Sequence, residues 1–287
     1  MVKKYGMIMD VTKCNGCYNC FLACRDEFCG NDYPGYSVAQ PFSGQFWVKV
    51  IEKERGQYPK VKVAYTVIPC MQCENAPCIE ASLNGAVYRR ADGIVIIDPE
   101  KAVGQKQIVS ACPYRVIYWN EEKNLPQKCT FCAHLLDKGW KEPRCVEACP
   151  MKALVFGDVN DPNSEISKVI AAAKGKLEVL HPEYGLMPNV KYIGIPKRFV
   201  AGEVVFRDKK DECAVGVKVT LSSKGNAEKV TKTDNYGDFE FEGLDADKDY
   251  AVSIEHSGYS AKKLKVKTSI DTYLGEILLS KITVKNR

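Results

Sequence analysis

The sequence contains no run that approaches the roughly 18 apolar residues of a membrane-spanning helix, so neither a span nor direct membrane contact is expected. It begins MVKKYGMIMD, without the apolar core of a signal peptide and without a twin-arginine pair, which predicts a cytoplasmic protein. The net charge of +5 is not gathered into any dense basic block. No nucleic-acid partner is therefore expected.

Cysteine, in contrast, is abundant. Thirteen of the 14 cysteines fall between Cys14 and Cys149, and only Cys213 lies beyond them. Disulfide scaffolds are typical of short secreted chains, whereas this chain has 287 residues and no pattern that indicates secretion. We therefore expect a reducing compartment, in which clustered thiols hold metal or carry out redox chemistry.

Two groups of cysteines have the spacing of bacterial iron–sulfur ferredoxins. One reads C-x2-C-x2-C-x3-C from Cys14 to Cys24, and the other reads C-x2-C-x12-C-x3-C-P from Cys129 to Pro150. In such runs three thiolates on one loop hold a cubane, and the fourth serves the neighbouring cluster. This logic predicts two [4Fe–4S] clusters. Their ligands are a first cysteine set of Cys14, Cys17, Cys20 and Cys149, and a second cysteine set of Cys24, Cys129, Cys132 and Cys145.

A further group runs from Cys70 to Cys78 and is followed, after a long gap, by Cys112-Pro113. It predicts a third [4Fe–4S] cluster, because the Cys-Pro pair repeats the one at Cys149. A complete second ferredoxin unit would hold a fourth cluster, but all four of its ligand positions lack cysteine together, which indicates the loss of one whole ligand set. The third cysteine set is Cys70, Cys73, Cys78 and Cys112, and the vacant set is Ser82, Ala102, Gln105 and Ile108.

Structural zinc is the alternative for these cysteines, because C-x2-C pairs also bind zinc. Zinc knuckles need neither the x3-Cys-Pro arm nor the interleaved fourth ligands, so clusters are favoured. Cys29 is expected to be a free buried thiol, and Cys213 a small packed residue. His134 could donate a hydrogen bond to a cluster sulfur, although a surface or core role is favoured.

Basic residues stand close to predicted ligands, among them Arg115, Lys128 and Arg144. Their charge could raise the reduction potential of a cluster. Equally, they could be solvated or pair with a partner subunit, and the sequence leaves these alternatives open.

The composition changes twice along the chain. Residues 1–157 carry the predicted clusters, and residues 158–199 read as a helix, started by Asp161-Pro162 and ended by Gly175, followed by an extended connecting segment. Residues 200–287 alternate between apolar and polar side chains in about seven short runs, which predicts a β-sandwich. The predicted fold class is α+β: tandem bacterial-ferredoxin-like units followed by an antiparallel sandwich.

Residues 1 to about 150 resemble the iron–sulfur subunits of molybdopterin oxidoreductases of the dimethyl-sulfoxide-reductase type, which normally carry four clusters. The sandwich resembles Cna-B/transthyretin-like domains, and the combination is similar to the small subunits of molybdenum transhydroxylases of phenols. The stretches that carry the two resemblances are Pro69–Cys78, Cys129–Leu136, Gly216–Val219 and Thr233–Phe239.

The resemblance implies three clusters and a cytoplasmic heterodimer with a large catalytic subunit. That partner would hold molybdenum, two molybdopterin guanine dinucleotides and the substrate, and no residue of this chain is expected to be catalytic. We therefore predict an electron-transfer subunit. The alternatives are the corresponding subunit of a resorcinol-type hydroxylase or a reductase, and a structural adapter whose clusters only stabilise the fold.

Overall fold

The computed structural model describes residues 2–209, 212–225 and 227–282, and the chain divides into two units. The first unit extends to Lys53 and resumes from Ala64 to Ile195, and the second comprises Glu54–Val63 and the chain from Pro196 onward. Residues 158–195, expected as a connecting segment, thus group with the first unit. Residues 210, 211, 226 and 283–287 of the predicted sandwich domain lie outside the described residues.

The first unit is built from short strands and short helices. Its strands are β1 (Tyr5–Asp10), β4 (Val87–Arg89), β5 (Val95–Ile97), β6 (Tyr118–Asn120), β7 (Leu125–Gln127), β8 (Leu154–Asp158), β9 (Leu177–Glu178) and β10 (Val190–Ile193). The chain divides within the hairpin of β2 (Lys49–Gln57) and β3 (Lys60–Ile68), whose Glu54–Val63 part groups with the second unit. Its helices are α1 (Asn19–Phe28), α2 (Pro77–Glu80), α3 (Gln107–Ser110), α4 (Ala133–Leu136), α5 (Arg144–Glu147) and α6 (Glu165–Ala172). No helix in the described ranges is long and apolar enough to cross a membrane.

One four-stranded sheet, in the order β8-β1-β10-β9, closes one side of the cysteine-bearing loops. β1 pairs with β8 in antiparallel and with β10 in parallel orientation. The β1 side chains Met7 and Met9 are buried in the same apolar core as Cys20, Cys24 and other predicted ligands. Most of the predicted ligands thus lie in the hydrophobic core of the first unit or pack against it.

The helix predicted after Asp161 is α6, but its start differs from the expectation. Ser164 is its N-cap and accepts a hydrogen bond from the Ser167 N–H. Asp161 does not cap the helix, because its carboxylate accepts instead from the Asn163 N–H within the preceding turn. The helix ends at Ala172, and Gly175 follows with a φ of 81°.

The second unit is a sandwich of two sheets. Its strands are β11 (Arg198–Phe206), β12 (Lys218–Ser222), β13 (Lys229–Lys232), β14 (Asp238–Leu244), β15 (Asp249–Glu255), β16 (Lys262–Lys267) and β17 (Thr272–Leu279). One sheet has the order β14-β11-β17 and the other β13-β12-β15-β16. The alternating apolar residues expected to face inward form its core, including Val219, Leu221, Phe239, Phe241 and Ile254.

The prediction of an antiparallel sandwich is wrong for one strand pair. β11 and β17, the first and last strands, pair in parallel orientation. Hairpin turns enforce antiparallel pairing only between strands that follow each other directly, and these two are joined through the rest of the unit. The grouping of Glu54–Val63 with this unit was also not expected. Arg55 lies 3.6 Å from the buried carboxylate of Asp271, which also accepts from the Phe199 N–H.

Candidate iron–sulfur centres

The loops that carry the C-x2-C pairs share one backbone feature. The residue before the second cysteine has a positive φ in each of them: 72° at Gly16, 48° at Gln72 and 52° at Phe131. A residue in this left-handed region reverses the chain direction within the loop. A Cβ on Gly16 would collide with the ring of Tyr65, so glycine is required there.

The first cysteine set surrounds one recess of about 340 Å³. Cys17 is exposed, Cys14 and Cys149 are half-buried, and Cys20 is buried. The Ala153 N–H donates to Cys149 Sγ at 3.3 Å. The fold therefore brings the arm that ends at Cys149 onto the loop that begins at Cys14.

The third cysteine set surrounds a second recess of about 360 Å³, nearly the same size as the first. Cys70 and Cys78 are buried, and Cys73 and Cys112 are half-buried. Burial raises the pKa of Cys73 to about 12, and the neighbouring Cys70 and Cys112 act in the same direction. The long gap in sequence before Cys112 is thus closed in space.

The second cysteine set is buried throughout. Burial raises the pKa of Cys24 and Cys145 well above the usual thiol value, and the neighbouring Cys129 and Cys132 act in the same direction. The Phe131 N–H donates to Cys129 Sγ at 3.4 Å. Cys24, on helix α1, therefore stands with the thiols at the other end of the cysteine-rich sequence rather than with its own loop.

Electrostatic neighbours also give the order of the three sets. Cys20 of the first set raises the pKa of Cys24 and Cys145 in the second, after burial and closer thiols. Cys70 of the third set raises the pKa of Cys129 in the second, after burial. The second set therefore lies between the first and the third.

These donor sets fit a [4Fe–4S] cluster. In the second set burial raises the pKa of all four thiols, so they stay protonated at neutral pH, whereas the thiolate is the form that binds metal. A cationic metal group bound among the thiols offsets the cost of forming buried thiolates, because metal binding is coupled to their deprotonation. The N–H groups donating to Cys129 and Cys149 are the kind of hydrogen bond that stabilises cluster sulfurs. In the described ranges no three His, Cys, Asp or Glu side chains could hold a single metal ion.

The vacant set is filled by side-chain packing. Ala102 and Ile108 are fully buried in a small apolar cluster that also contains Cys78. Gln105 accepts from the Leu83 N–H at 2.8 Å and donates to the Lys101 carbonyl at 2.7 Å. The Ser82 hydroxyl donates to the Ile79 carbonyl and accepts from the Val87 N–H.

The two remaining cysteines lie outside all three sets. Cys29 is half-buried and accepts a hydrogen bond from the Arg25 guanidinium at 3.4 Å. Cys213 is exposed, so its expected role as a packed small residue is wrong. Its backbone forms an isolated bridge to Val205 of β11.

A half-buried carboxylate that was not among the predicted site residues lies in a network with residues beside the second set. Glu27 accepts from Tyr33 Oη at 2.6 Å and lies 2.8 Å from His134 Nε2 and 3.3 Å from Arg144 Nε. Burial opposes its ionisation, but the hydrogen bonds from Tyr33 and His134 hold the pKa of Glu27 below its usual value. His134 thus has a core role, stacked on Tyr33. His134 and Arg144 lie more than a hundred residues from Glu27, so no local motif could have indicated these two partners.

The comparisons with known proteins agree with this geometry. The family model for a 4Fe–4S dicluster domain matches residues 61–159, and the model for the second β-sandwich domain of BOS complex subunit NOMO1-like proteins matches residues 199–285. The pyrogallol hydroxytransferase small subunit of Pelobacter acidigallici is 42% identical over 265 residues, which cover 90% of this chain and 93% of that protein.

The chain belongs to the family of iron–sulfur subunits that includes this small subunit. A tetrathionate reductase subunit of Salmonella typhimurium is 34% identical over 69% of this chain and 75% of its own. The arsenate respiratory reductase iron–sulfur subunit of a Shewanella species is 31% identical over 66% of this chain and 96% of its own. The predicted resemblance to iron–sulfur subunits of the dimethyl-sulfoxide-reductase type, and to the transhydroxylase small subunit in particular, is thereby confirmed. As in this family, the chain is an electron-transfer subunit and not the catalytic one.

Proposed function

We propose that the chain holds three [4Fe–4S] clusters, one on each cysteine set, as the small subunit of a pyrogallol–phloroglucinol transhydroxylase. The observation that carries the proposal is the interleaving of the fourth ligands. Cys149 joins the loop of Cys14, while Cys24 joins Cys129 and Cys145. Bound clusters would supply one-electron storage and transfer at these positions.

A ligand substitution with a matched control tests the cluster assignment. Cys70→Ser is expected to remove one reducible centre and a third of the iron, whereas Cys29→Ser is expected to retain all of it, because Cys29 lies outside the sets. Iron analysis and electron paramagnetic resonance (EPR) after dithionite reduction measure both. Equal iron loss in the two variants would refute the assignment.

The sequential order of the sets supports electron transfer over a purely structural role. Thiols of neighbouring sets lie close enough to interact electrostatically: Cys20 of the first set with Cys24 of the second, and Cys70 of the third with Cys129 of the second. An adapter predicts no reducible centres. Bleaching near 400 nm by dithionite, with three interacting spins, would exclude an adapter, and an unchanged spectrum would support it.

The proposed partner is a large catalytic subunit that holds molybdenum and two molybdopterin guanine dinucleotides and forms a cytoplasmic heterodimer with this chain. We propose that the first cysteine set faces this partner. Cys17 is the exposed member of the twelve proposed ligands, and Leu22, one turn away on α1, is 57% exposed. Co-purification of a molybdenum-containing subunit from the soluble fraction of the cell tests the partner and the location together.

The extent of the similarity favours the transhydroxylase. The pyrogallol hydroxytransferase match covers 90% of this chain, whereas the two reductase subunits cover 69% and 66%.

Transhydroxylation is redox-neutral overall, so the clusters would set or restore the oxidation state of the metal. A resorcinol-type hydroxylase or a reductase would instead export electrons. Cys70→Ser, assayed for transhydroxylation and separately for electron export, distinguishes them, and transhydroxylation that persists with irreducible clusters would contradict an obligatory electron path.

We propose that the second unit is a Cna-B/transthyretin-like domain, within the predicted limits 200–287, that docks the large subunit. Truncation at Phe199 tests this role. The expected result is a weakened heterodimer with all three clusters retained, measured by gel filtration and iron content. An unchanged, active heterodimer would overturn the docking role and leave the cluster assignment untouched.

A further inference from the structure

Lys128 is a cation in the interior of the first unit. Its side chain is among the largest fully buried ones, with 2% exposure. The ammonium donates to the backbone carbonyls of Val95 and Cys129, the latter at 3.1 Å. These two carbonyls fix the position of the charge but carry none of their own.

No carboxylate within the described part of the chain lies within 4 Å of this ammonium. Burial of an unpaired ammonium is very costly, so a buried lysine is ordinarily matched by an anion or neutralised. The ammonium lies instead between two cysteine sets: Cys129, whose carbonyl accepts from it, belongs to the second set, and Val95, whose carbonyl also accepts, lines the recess of the third.

The contacts of the ammonium separate the third and second sets from the first. Neither Val95 nor Cys129 is among the residues that line the recess of the first set. The electrostatics of the third set agree with this placement: burial raises the pKa of Cys78 to about 11, and Lys128 acts against that rise.

Arg115 and Arg144, the other two basic residues singled out beside ligands, are placed differently. Arg115 is exposed and lies three residues after Cys112. Arg144 is paired with Glu27 at 3.3 Å and also contacts Glu147. Solvent weakens the charge of Arg115 and carboxylates offset that of Arg144, so Lys128 is the fully buried cation of these three.

We propose that Lys128 supplies a buried positive charge to both the second and the third cysteine sets. This charge raises the reduction potentials of the clusters on these two sets and leaves the potential of the cluster on the first set unaffected. This inference rests on the proposed function, since it needs clusters on these sets. Reduction adds one electron, and therefore one negative charge, to an already anionic thiolate-bound cluster. A fixed cation in a medium of low dielectric constant favours the reduced form.

The test is an EPR-monitored redox titration of the purified holoenzyme, with dithionite as reductant. In Lys128→Met the reduction equilibrium constants of two of the three centres are expected to fall at least tenfold. For a one-electron centre this lowers the midpoint potential by about 59 mV. The third midpoint is expected to stay unchanged. Lys123→Met is the matched control, because Lys123 is an exposed lysine of the same segment.

Two further variants separate charge from packing. Lys128→Arg keeps the charge, so the reduction equilibrium constants of its three centres are expected to lie within threefold of the wild-type values. Lys128→Gln can still donate to a carbonyl, and it carries the test if the methionine variant loses iron. Unchanged midpoints in a charge-removing variant with full iron content would overturn the inference, as would equal shifts in the arginine variant. Absence of three reducible centres in the wild-type enzyme would instead overturn the proposed function.

Discussion

The loop from Ala102 to Ile108 and the loop from Cys14 to Cys20 correspond to each other in the predicted tandem of ferredoxin-like units. Both turn at a glycine in the left-handed region, with φ of 72° at Gly16 and 76° at Gly104. The first loop presents thiols to a recess, whereas the second contributes apolar side chains to a packed cluster. The same left-handed turn is thus present at the positions where the spacing predicts the vacant set.

The comparison teaches what compensates for a missing ligand set. A fully buried aliphatic side chain such as Ile108 contributes about 1.5–3 kcal/mol through burial, and the hydrogen bonds of Ser82 and Gln105 satisfy nearby backbone groups. The vacant set adjoins the third cysteine set, because Cys78 belongs to the same apolar cluster. In our account the electron path therefore runs from the first set to the third and ends there.

The largest expected difference lies between Cys149 and its counterpart Ser82. Cys149→Ala is expected to abolish the cluster of the first set, which removes one spin system and a third of the iron. Ser82→Ala removes two hydrogen bonds and should cost about 1–2 kcal/mol with full iron content. Iron analysis and thermal unfolding of the holoprotein measure both. Loss of iron in the serine variant would mean that the vacant set still contributes to a cluster.

Ile108→Ala tests the packing that replaces the cluster. Since Ile108 is fully buried, truncation is expected to cost about 2–5 kcal/mol of stability through lost burial and a cavity. The iron content should not change. Val103→Ala, at an exposed position of the same loop, is the control and should be nearly neutral. A neutral Ile108 variant would contradict a packed vacant set.

The left-handed turn is tested at Gly104. Gly104→Ala should destabilise the protein by about 1–2 kcal/mol, because a Cβ is strained at positive φ, while no heavy atom lies closer than 4.0 Å to that Cβ. Gly104→Asn should cost less, since asparagine tolerates this conformation. Equal stability of both variants and the wild type, by chemical denaturation, would show that the left-handed turn is dispensable.

The smallest expected effect concerns an ion pair that joins the repeats. Arg90 donates to both carboxylate oxygens of Asp137, at 2.6 and 2.7 Å, and lowers the pKa of Asp137 to about 2. The pair is partly exposed, so its coupling should be no more than about 1 kcal/mol at pH 7. A double-mutant cycle of Arg90→Met and Asp137→Asn measures it, and a coupling of several kcal/mol would contradict the solvent-screened description.

The sequence predicted those features that depend on local spacing. The interleaved sets followed from the positions of Cys14 to Cys24 and Cys129 to Cys149, and the sandwich core followed from alternation at residues such as Val219 and Phe239. The parallel pairing of β11 with β17 was not predictable, because it joins strands at opposite ends of the second unit.

Burial and non-local pairing explain the other misses. Nothing in the local sequence distinguishes buried Lys128 from exposed Arg115, since both lie close to cysteine ligands. The Glu27 network likewise depends on the packing of α1 against residues more than a hundred positions away, and a single-sequence pattern carries no signal for it.

The count of reducible clusters in the purified wild-type holoenzyme tests the central claim most directly. Iron and acid-labile sulfide analysis, combined with EPR spin quantitation after dithionite reduction, should give three [4Fe–4S] clusters assigned to this chain and three interacting spins. A fourth cluster would contradict the packed vacant set. Two clusters, or zinc in place of iron, would contradict the assignment of twelve cysteines to three interleaved sets.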